Sequence, residues 1–223
     1  MLITFCNTKG GVGKSTLAVH TAVWLFDQGY SFALLDADKQ LSSSQWMQEA
    51  EPGIPVATAN DPDDCLQKAG ELLGKYDIVV GDGPGGLDDV SRTLLLLADL
   101  AIFPISPSIL DLRSVAQATQ ILKYAQGINR GKPEGRLVLN KLRSRDTISR
   151  ELQAAAPSLG LQVTEASIRD LQAFRDCVQQ GTVVGRLGKK AAEAAKDVEA
   201  FCREISEAIN LNERLRAGEV ANG

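Results

Sequence analysis

The sequence has few of the residues that build metal centres or disulfide frameworks. It contains one histidine, His20, and four cysteines, which lie far apart and form no Cys-x-x-Cys pair. Because no partner for catalysis stands near it, we read His20 as a structural residue of an amphipathic segment. We read the cysteines as reduced, buried small hydrophobes.

Long apolar runs are also missing. The most apolar stretch, residues 94–105, is interrupted by Asp99 and Pro104, and no charged-then-apolar leader opens the chain, so we expect neither secretion nor membrane spanning. No linker or composition break divides the 223 residues. We therefore predict a cytoplasmic protein with one domain over residues 1–210 and a short polar tail at 211–223.

The charge is unevenly distributed. Residues 1–122 carry a net charge of −8, whereas residues 123–223 carry +4, and the segment 123–150 alone holds eight basic and two acidic residues. Such a local excess of positive charge is typical of a surface that binds a polyanion.

Short apolar runs alternate with amphipathic segments of helical length. The runs cover residues 2–6, 31–38, 54–59, 76–82, 100–105, 136–140 and 161–166, and helical spacing covers 14–28, 61–74, 109–126, 146–156, 169–180 and 189–211. Because the runs are apolar throughout, they predict strands that are buried on both faces. The fold class is therefore α/β, with a doubly wound, mostly parallel sheet flanked by helices.

The segment CNTKGGVGKSTLA, residues 6–18, joins the first strand to the first helix. Glycines let backbone N–H groups close around a phosphate, and the following helix adds its dipole. In such a loop Lys14 neutralises the phosphates and Ser15 offers its hydroxyl to Mg²⁺. The strict GxxxxGK[ST] pattern asks for glycine at position 8, where the chain has Thr8, and a second lysine, Lys9, follows it.

This loop resembles the deviant Walker A motif, xKGGxGK[ST], of the ParA/MinD group of P-loop ATPases. The resemblance implies ATP and Mg²⁺ as cofactors and a nucleotide-sandwich homodimer, in which Lys9 of each protomer reaches the nucleotide of its partner. It implies catalytic roles for Lys9, Lys14 and Asp38. It also implies nucleotide contacts from Lys9, Gly10, Gly11, Val12, Gly13, Lys14, Ser15 and Thr16.

Two acidic strand ends match the same group. In LLDADKQ, the family motif DxDxQ implies that Asp38 positions and activates the attacking water and that Asp36 lies near the metal. Lys39 stands where the family commonly has proline, which leaves the geometry of this turn open. In YDIVVGDGPGG, Asp82 matches the Walker B aspartate that holds Mg²⁺ through water.

The resemblance extends beyond the phosphate site. Residues 101–115 resemble a proline-containing strand end and the following helix of partition ATPases. Asn140, in LVLNK, stands where the family places an asparagine against the adenine base, although it could also cap the next turn. Residues 167–184 match a segment whose backbone borders the base.

Among the functions of this group, we favour that of the small ParA-like positioning ATPases. The resemblance implies an ATP-state homodimer that binds nonspecific DNA on the nucleoid and segregates or positions a plasmid, a chromosome or a protein body such as a carboxysome. A ParB-like or adaptor protein on the cargo would stimulate hydrolysis and release it. Candidate DNA contacts are Lys141, Arg143, Arg145, Arg150, Arg186, Lys189 and Lys190.

Two alternatives stay open. A MinD-like membrane regulator needs a bulky amphipathic helix at its C-terminus, and the small, polar residues 212–223 argue against it, so we expect no membrane partner. An ATP-dependent ligase of the same fold is not excluded by composition. An iron–sulfur reductase is excluded, because no cysteine occurs between Cys65 and Cys177.

Overall fold

The computed structural model describes residues 1–86, 88–143, 154 and 156–208. Within them the chain alternates strands and helices. The strands are β1 (Leu2–Asn7), β2 (Phe32–Asp36), β3 (Val56–Thr58), β4 (Ile78–Gly85), β5 (Leu100–Ile105), β6 (Glu134–Leu142), β7 (Gln162–Val163) and β8 (Ile168–Arg169). Most of their residues are buried, as continuously apolar runs predict.

Helices connect the strands and close the described part of the chain. They are α1 (Lys14–Asp27), α2 (Ser42–Ala50), α3 (Pro62–Leu73), α4 (Asp89–Leu97), α5 (Ile109–Ile128), α6 (Gln172–Gln179) and α7 (Ala192–Ala208). Two starts follow ordinary capping chemistry: Asp61 accepts a hydrogen bond from the Asp64 amide before α3, and Asp88 accepts one from the Ser91 amide before α4. In contrast, α1 begins after Gly13 without a described side-chain cap.

The described strands pair in parallel in the order β3-β2-β4-β1-β5-β6-β7, and β8 pairs with β6. From β1 the chain crosses by α1 to β2 on one side, whereas β5 lies on the other side of β1. The order of strands therefore reverses around β1. Open parallel sheets bind their ligands at such a point, beyond the carboxyl ends of the strands.

Both faces of the sheet are covered. On one face Phe5 and Leu34 pack with α1, α2, α6 and α7 in a single apolar cluster. On the other face Leu2 and Leu35 pack with α3 and α4, and Phe103 packs in a second cluster with α5. Neighbouring residues of one strand, such as Leu34 and Leu35, thus point to opposite faces of the sheet. The predicted doubly wound α/β fold is confirmed.

Several sequence predictions can be compared with these elements. Each of the seven predicted strands overlaps an observed strand, and the predicted helix at 189–211 contains α7. Most of the predicted helix at 146–156 and the tail at 211–223 lie outside the described residues, so the domain limits stay a prediction. The four cysteines are buried and unpaired with one another. In the described part of the chain, no helix combines the length and apolarity needed to cross a bilayer.

Candidate functional site

A cleft of about 660 Å³ lies at the carboxyl ends of β1, β2 and β4. Its position coincides with the reversal of strand order around β1, where a ligand site is expected. Most of the motif residues singled out in the sequence line it, together with residues that the sequence did not indicate. The lining comprises Gly10, Gly11, Gly13, Lys14, Ser15, Thr16, Asp38, Gln40, Ser42, Trp46, Gly85, Lys141 and Val178.

The glycine loop wraps from β1 into α1. Gly11 and Gly13 have φ angles of 74° and 97°, in the left-handed region that residues with a Cβ rarely adopt. The chain can therefore turn tightly before α1 begins at Lys14. The first N–H groups of a helix have no intrahelical acceptor, and here they lie at the cleft together with the positive end of the helix dipole. This part of the cleft is suited to an anion.

The two lysines of the loop have different surroundings. Lys14 is only 6% exposed, and its Nζ donates to the Lys9 carbonyl at 3.5 Å. Gly85, at the end of β4, lies close to this ammonium group: a Cβ on Gly85 would be 3.8 Å from Nζ. Lys9 is half-buried, and its amide donates to Asn7 Oδ1 at 3.1 Å. Lys14 thus stays within its own cleft.

Asp36 and Asp38 leave the end of β2 with separate contacts. Asp36 is fully buried, and its two oxygens accept hydrogen bonds from the amides of Asp38 at 3.0 Å and Ser44 at 2.8 Å. It therefore anchors the turn that presents Asp38. Asp38 is half-exposed, lines the cleft and accepts a hydrogen bond from the Gln40 amide. The metal role expected of Asp36 stays a prediction, because its observed contacts are to backbone amides.

Asp82 of β4 is fully buried, beside the hydroxyls of Ser15 and Ser43. It lies opposite Phe5 of β1 and Asp36 of β2 in the parallel register. Neither carboxylate oxygen has a hydrogen-bond partner among the described residues. Burial raises the pKa of Asp82 to about 7, and the charge of Asp36 adds to this, whereas the nearby hydroxyls of Ser15 and Ser43 and the charge of Lys14 partly offset it.

Mg²⁺ fits these residues. An unpartnered carboxylate beside a serine hydroxyl provides the oxygen ligands that this cation prefers. Within the described ranges, no group of three or more His, Cys, Asp or Glu side chains gathers into a metal cage. That agrees with Mg²⁺ held by one or two protein groups, water and the phosphates of a nucleotide.

The end of β6 closes the cleft on another side. Asn140 is buried; its Nδ2 donates to the Val12 carbonyl at 2.7 Å, and its Oδ1 accepts from the Lys141 amide. Lys141, which the charge pattern suggested for DNA, instead places its Nζ 2.6 Å from the Gly11 carbonyl. The contact with adenine expected of Asn140 stays a prediction, since its observed partners belong to the protein backbone.

The other candidate DNA contacts are dispersed. Arg143 forms an ion pair with Asp170, and Arg186 forms ion pairs with Asp27 and Glu51. Lys189 and Lys190 are exposed on a short 3-10 turn, residues 188–191, which precedes α7. Arg145 and Arg150 lie outside the described residues.

Trp46, Ser42 and Ser43 of α2 lie at or near the cleft and belong to none of the sequence motifs. Trp46 lines the cleft, donates from Nε1 to the Thr182 carbonyl at 2.9 Å and packs edge-on against His20. Val178 of α6 lines the cleft as well and is 48% exposed; it belongs to residues 167–184, the segment that the resemblance places beside the base. Ser43, with a fully buried hydroxyl, lies beside Asp82. The position of the α2 residues at the cleft depends on elements that meet only in the folded chain, so no local pattern signals it.

Comparison with known families and proteins agrees with the geometry. Residues 3–184 match the CobQ/CobB/MinD/ParA nucleotide binding domain. The maintenance of carboxysome distribution protein A of Halothiobacillus neapolitanus is 30% identical over 208 residues, which cover 91% of this chain and 95% of that protein.

Solved structures share the fold. An ATP complex of a Cyanothece McdA variant superimposes with a TM-score of 0.70 and 16% identity, over 92% of this chain and 96% of that one. The MinD protein of Pyrococcus horikoshii with Mg-ADP gives a TM-score of 0.73 and 21% identity, over 94% and 97%. At these identities the likeness establishes the architecture only.

Proposed function

Because the chain belongs to the CobQ/CobB/MinD/ParA family of nucleotide-binding ATPases, we propose that it is a positioning ATPase whose ATP state distributes a cellular cargo. One observation carries this proposal: similarity to a carboxysome distribution protein runs along 91% of this chain and 95% of that protein. A protein body such as a carboxysome is therefore the favoured cargo, ahead of a plasmid or a chromosome.

ATP binds in the cleft in this proposal. The N–H groups of the loop and the ammonium of Lys14 hold the phosphates, and Ser15 and Asp82 hold Mg²⁺. The bound cation supplies charge neutralisation for the phosphates. The nearly complete burial of Lys14 strengthens its attraction for an anion, because little water competes there.

Asp38 positions the attacking water. The side chain lines the cleft, and Asp36 fixes the turn behind it through two backbone amides. Lys9 acts on a second nucleotide, that of the partner protomer, so dimerisation requires ATP. A cation entering from the partner would stabilise the charge that develops during phosphoryl transfer.

The ATP dimer binds DNA without sequence preference and so associates with the nucleoid. Lys189 and Lys190, both exposed, support this part of the proposal more directly than Arg143 and Arg186, which are engaged in ion pairs. A ParB-like or adaptor protein on the cargo stimulates hydrolysis, and the loss of the dimer then releases the DNA.

The test uses Asp38→Ala, which we expect to bind ATP but not to hydrolyse it. The purified variant is passed over nonspecific DNA and over anionic liposomes, with ATP or ADP. We expect retention on DNA with ATP alone, weakening by at least tenfold when salt rises from about 50 to about 200 mM, since each phosphate contact releases counterions. The retention of the variant on each surface is compared with that of the wild-type protein with ATP.

Each contrary result would favour a different function or refute a residue's role. Retention on liposomes alone would favour a membrane regulator of the MinD kind. ATP consumption that depends on a small acid or amine acceptor, with no retention on either surface, would favour a ligase. Normal hydrolysis by Asp38→Ala would refute the role given to Asp38.

A further inference from the structure

Lys141 lies where two distant parts of the chain meet. Its Nζ donates to the Gly11 carbonyl at 2.6 Å, across 130 residues of sequence, and its side chain lines the cleft. The preceding residue, Asn140, donates to the Val12 carbonyl at 2.7 Å. Two consecutive residues of β6 therefore hold two consecutive carbonyls of the phosphate loop.

The backbone of β6 is irregular at this residue. Lys141 has a φ of 59°, in the left-handed region that residues with a Cβ adopt rarely. The register with β8 shifts between Asn140 and Leu142, so Lys141 is the additional residue of a bulge. Bulges beside active sites re-aim a side chain that the strand alternation would direct elsewhere. Here the side chain that departs from the alternation contacts the loop.

The contact has a consequence for anion binding. A phosphate loop works only if its N–H groups face the ligand, and a carbonyl turned into the cleft would repel the phosphates. A charged donor holds a carbonyl more strongly than a neutral one does. The ammonium of Lys141 therefore keeps the Gly11 carbonyl turned toward β6 and adds positive charge at the edge of the cleft.

We propose that Lys141 is a positioning residue of the nucleotide site, which holds the loop through the Gly11 carbonyl in the conformation that binds ATP. This assignment replaces the DNA contact that the local charge suggested. It rests on the proposed function, since it requires that the cleft binds ATP.

Lys141→Met tests the proposal, because methionine removes the ammonium and keeps an unbranched side chain. We expect ATP affinity, measured by calorimetric titration without DNA, to fall roughly three- to tenfold, the loss of one exposed charged hydrogen bond. Lys141→Arg restores a charged donor and should recover most of the affinity. Lys75→Met, an exposed lysine outside the cleft, is the matched control and should bind ATP as wild type does.

The outcomes separate the two proposals. If wild type does not bind ATP, the proposed function fails. If wild type binds ATP and Lys141→Met binds it equally well, the role of Lys141 fails; DNA retention lost at saturating ATP with unchanged ATP affinity would overturn it too. Nucleotide-free melting temperatures check the fold, and Lys141→Gln replaces the methionine variant under the same criterion if that variant melts well below wild type.

Discussion

At the scale of single residues, Gly13 meets two constraints at once. Its φ of 97° lies in the left-handed region, and a Cβ there would come within 2.2 Å of Asn140 Nδ2. Asn140 cannot easily move away, because it is buried and bonded to the Val12 carbonyl. The glycine thus lets the loop and the end of β6 pack together. At Gly10, in contrast, an added Cβ would meet nothing within 4 Å.

We expect Gly13→Ala to lower the free energy of unfolding of the nucleotide-free protein by about 2 to 4 kcal/mol, from backbone strain and the displaced amide together. It should also abolish ATP binding. Gly10→Ala is the control and should change the free energy of unfolding by no more than about 0.5 kcal/mol. Urea denaturation measures both, and equal midpoints for the two variants would contradict the packing described here.

The sequence predicted where the site residues gather better than it predicted the contacts that hold the loop in place. Lys14, Ser15 and Asp38 follow parallel strands, and Asp82 lies near the end of β4. They meet at one edge of the sheet as predicted, because parallel strands end together. The position of Lys141 was not predictable from charge. Its partner, the Gly11 carbonyl, is brought to it only by the pairing of β5 with both β1 and β6.

At the scale of elements, His20 joins α1 to the segment after α6. Its Nδ1 bonds to the Thr16 carbonyl at 2.7 Å, and its Nε2 lies 3.2 Å from the Val184 amide. Because a backbone N–H can only donate, Nε2 is the acceptor and the proton is on Nδ1. The ring also packs edge-on against Trp46 and Phe174. The imidazole is therefore neutral and structural, as its isolation in the sequence indicated.

Burial lowers the pKa of His20 from 6.5 to about 4, although the bond to the Thr16 carbonyl works in the opposite direction. Below pH 6.5 the His20 of the unfolded chain binds a proton, whereas that of the folded chain does not until the pH falls to about 4. The contribution of the neutral, buried His20 to the free energy of unfolding is therefore complete above pH 6.5 and is lost as pH falls toward 4. Between pH 7.5 and 4.5 we expect a loss of about 2 to 3 kcal/mol from this group.

His20→Gln isolates that contribution, because the carboxylates titrate alike in both proteins. The free energy of unfolding from urea titrations at the two pH values should fall by about 2 to 3 kcal/mol more in wild type than in the variant. An equal fall in both would show that His20 accepts a proton in the folded state.

Most elements were predictable from periodicity, and the exceptions have physical reasons. The helix α2 carries three serines and begins after Leu41 at a φ of 52°, so its sequence is typical of a loop; buried Trp46 and Met47 hold it in place. In α4 four consecutive leucines join the apolar run of β5 and conceal the helical period. Its N-cap, Asp88, was the local signal that could have separated them.

At the scale of the whole molecule, ion pairs neutralise part of the positive charge that the sequence concentrates in its second half. Arg143 and Arg175 share Asp170, and Arg169 pairs with Asp197 and Glu193. Exposed pairs of this kind add little stability, about 0 to 1 kcal/mol each, but they lower the charge available to a polyanion. Lysines outside such pairs therefore carry more of the proposed DNA contact than the total charge suggests.

The two loop lysines should separate ATP binding from dimerisation. Lys14→Ala removes a buried cation from its own cleft, and we expect ATP affinity to fall by at least roughly a hundredfold, leaving a monomer. Lys9→Ala should bind ATP within about threefold of wild type, because a half-exposed lysine contributes less to its own site, yet it should fail to dimerise.

Sedimentation velocity with saturating ATP distinguishes these outcomes. Both substitutions are made in the Asp38→Ala background, so that hydrolysis does not dissociate the dimer. Asp38→Ala alone should sediment as a dimer with ATP and as a monomer with ADP. A dimer of the Lys9→Ala, Asp38→Ala double variant would show that Lys9 does not bridge protomers. A monomer that still binds ATP is the expected result, because each nucleotide would then lack only the cation that its partner supplies.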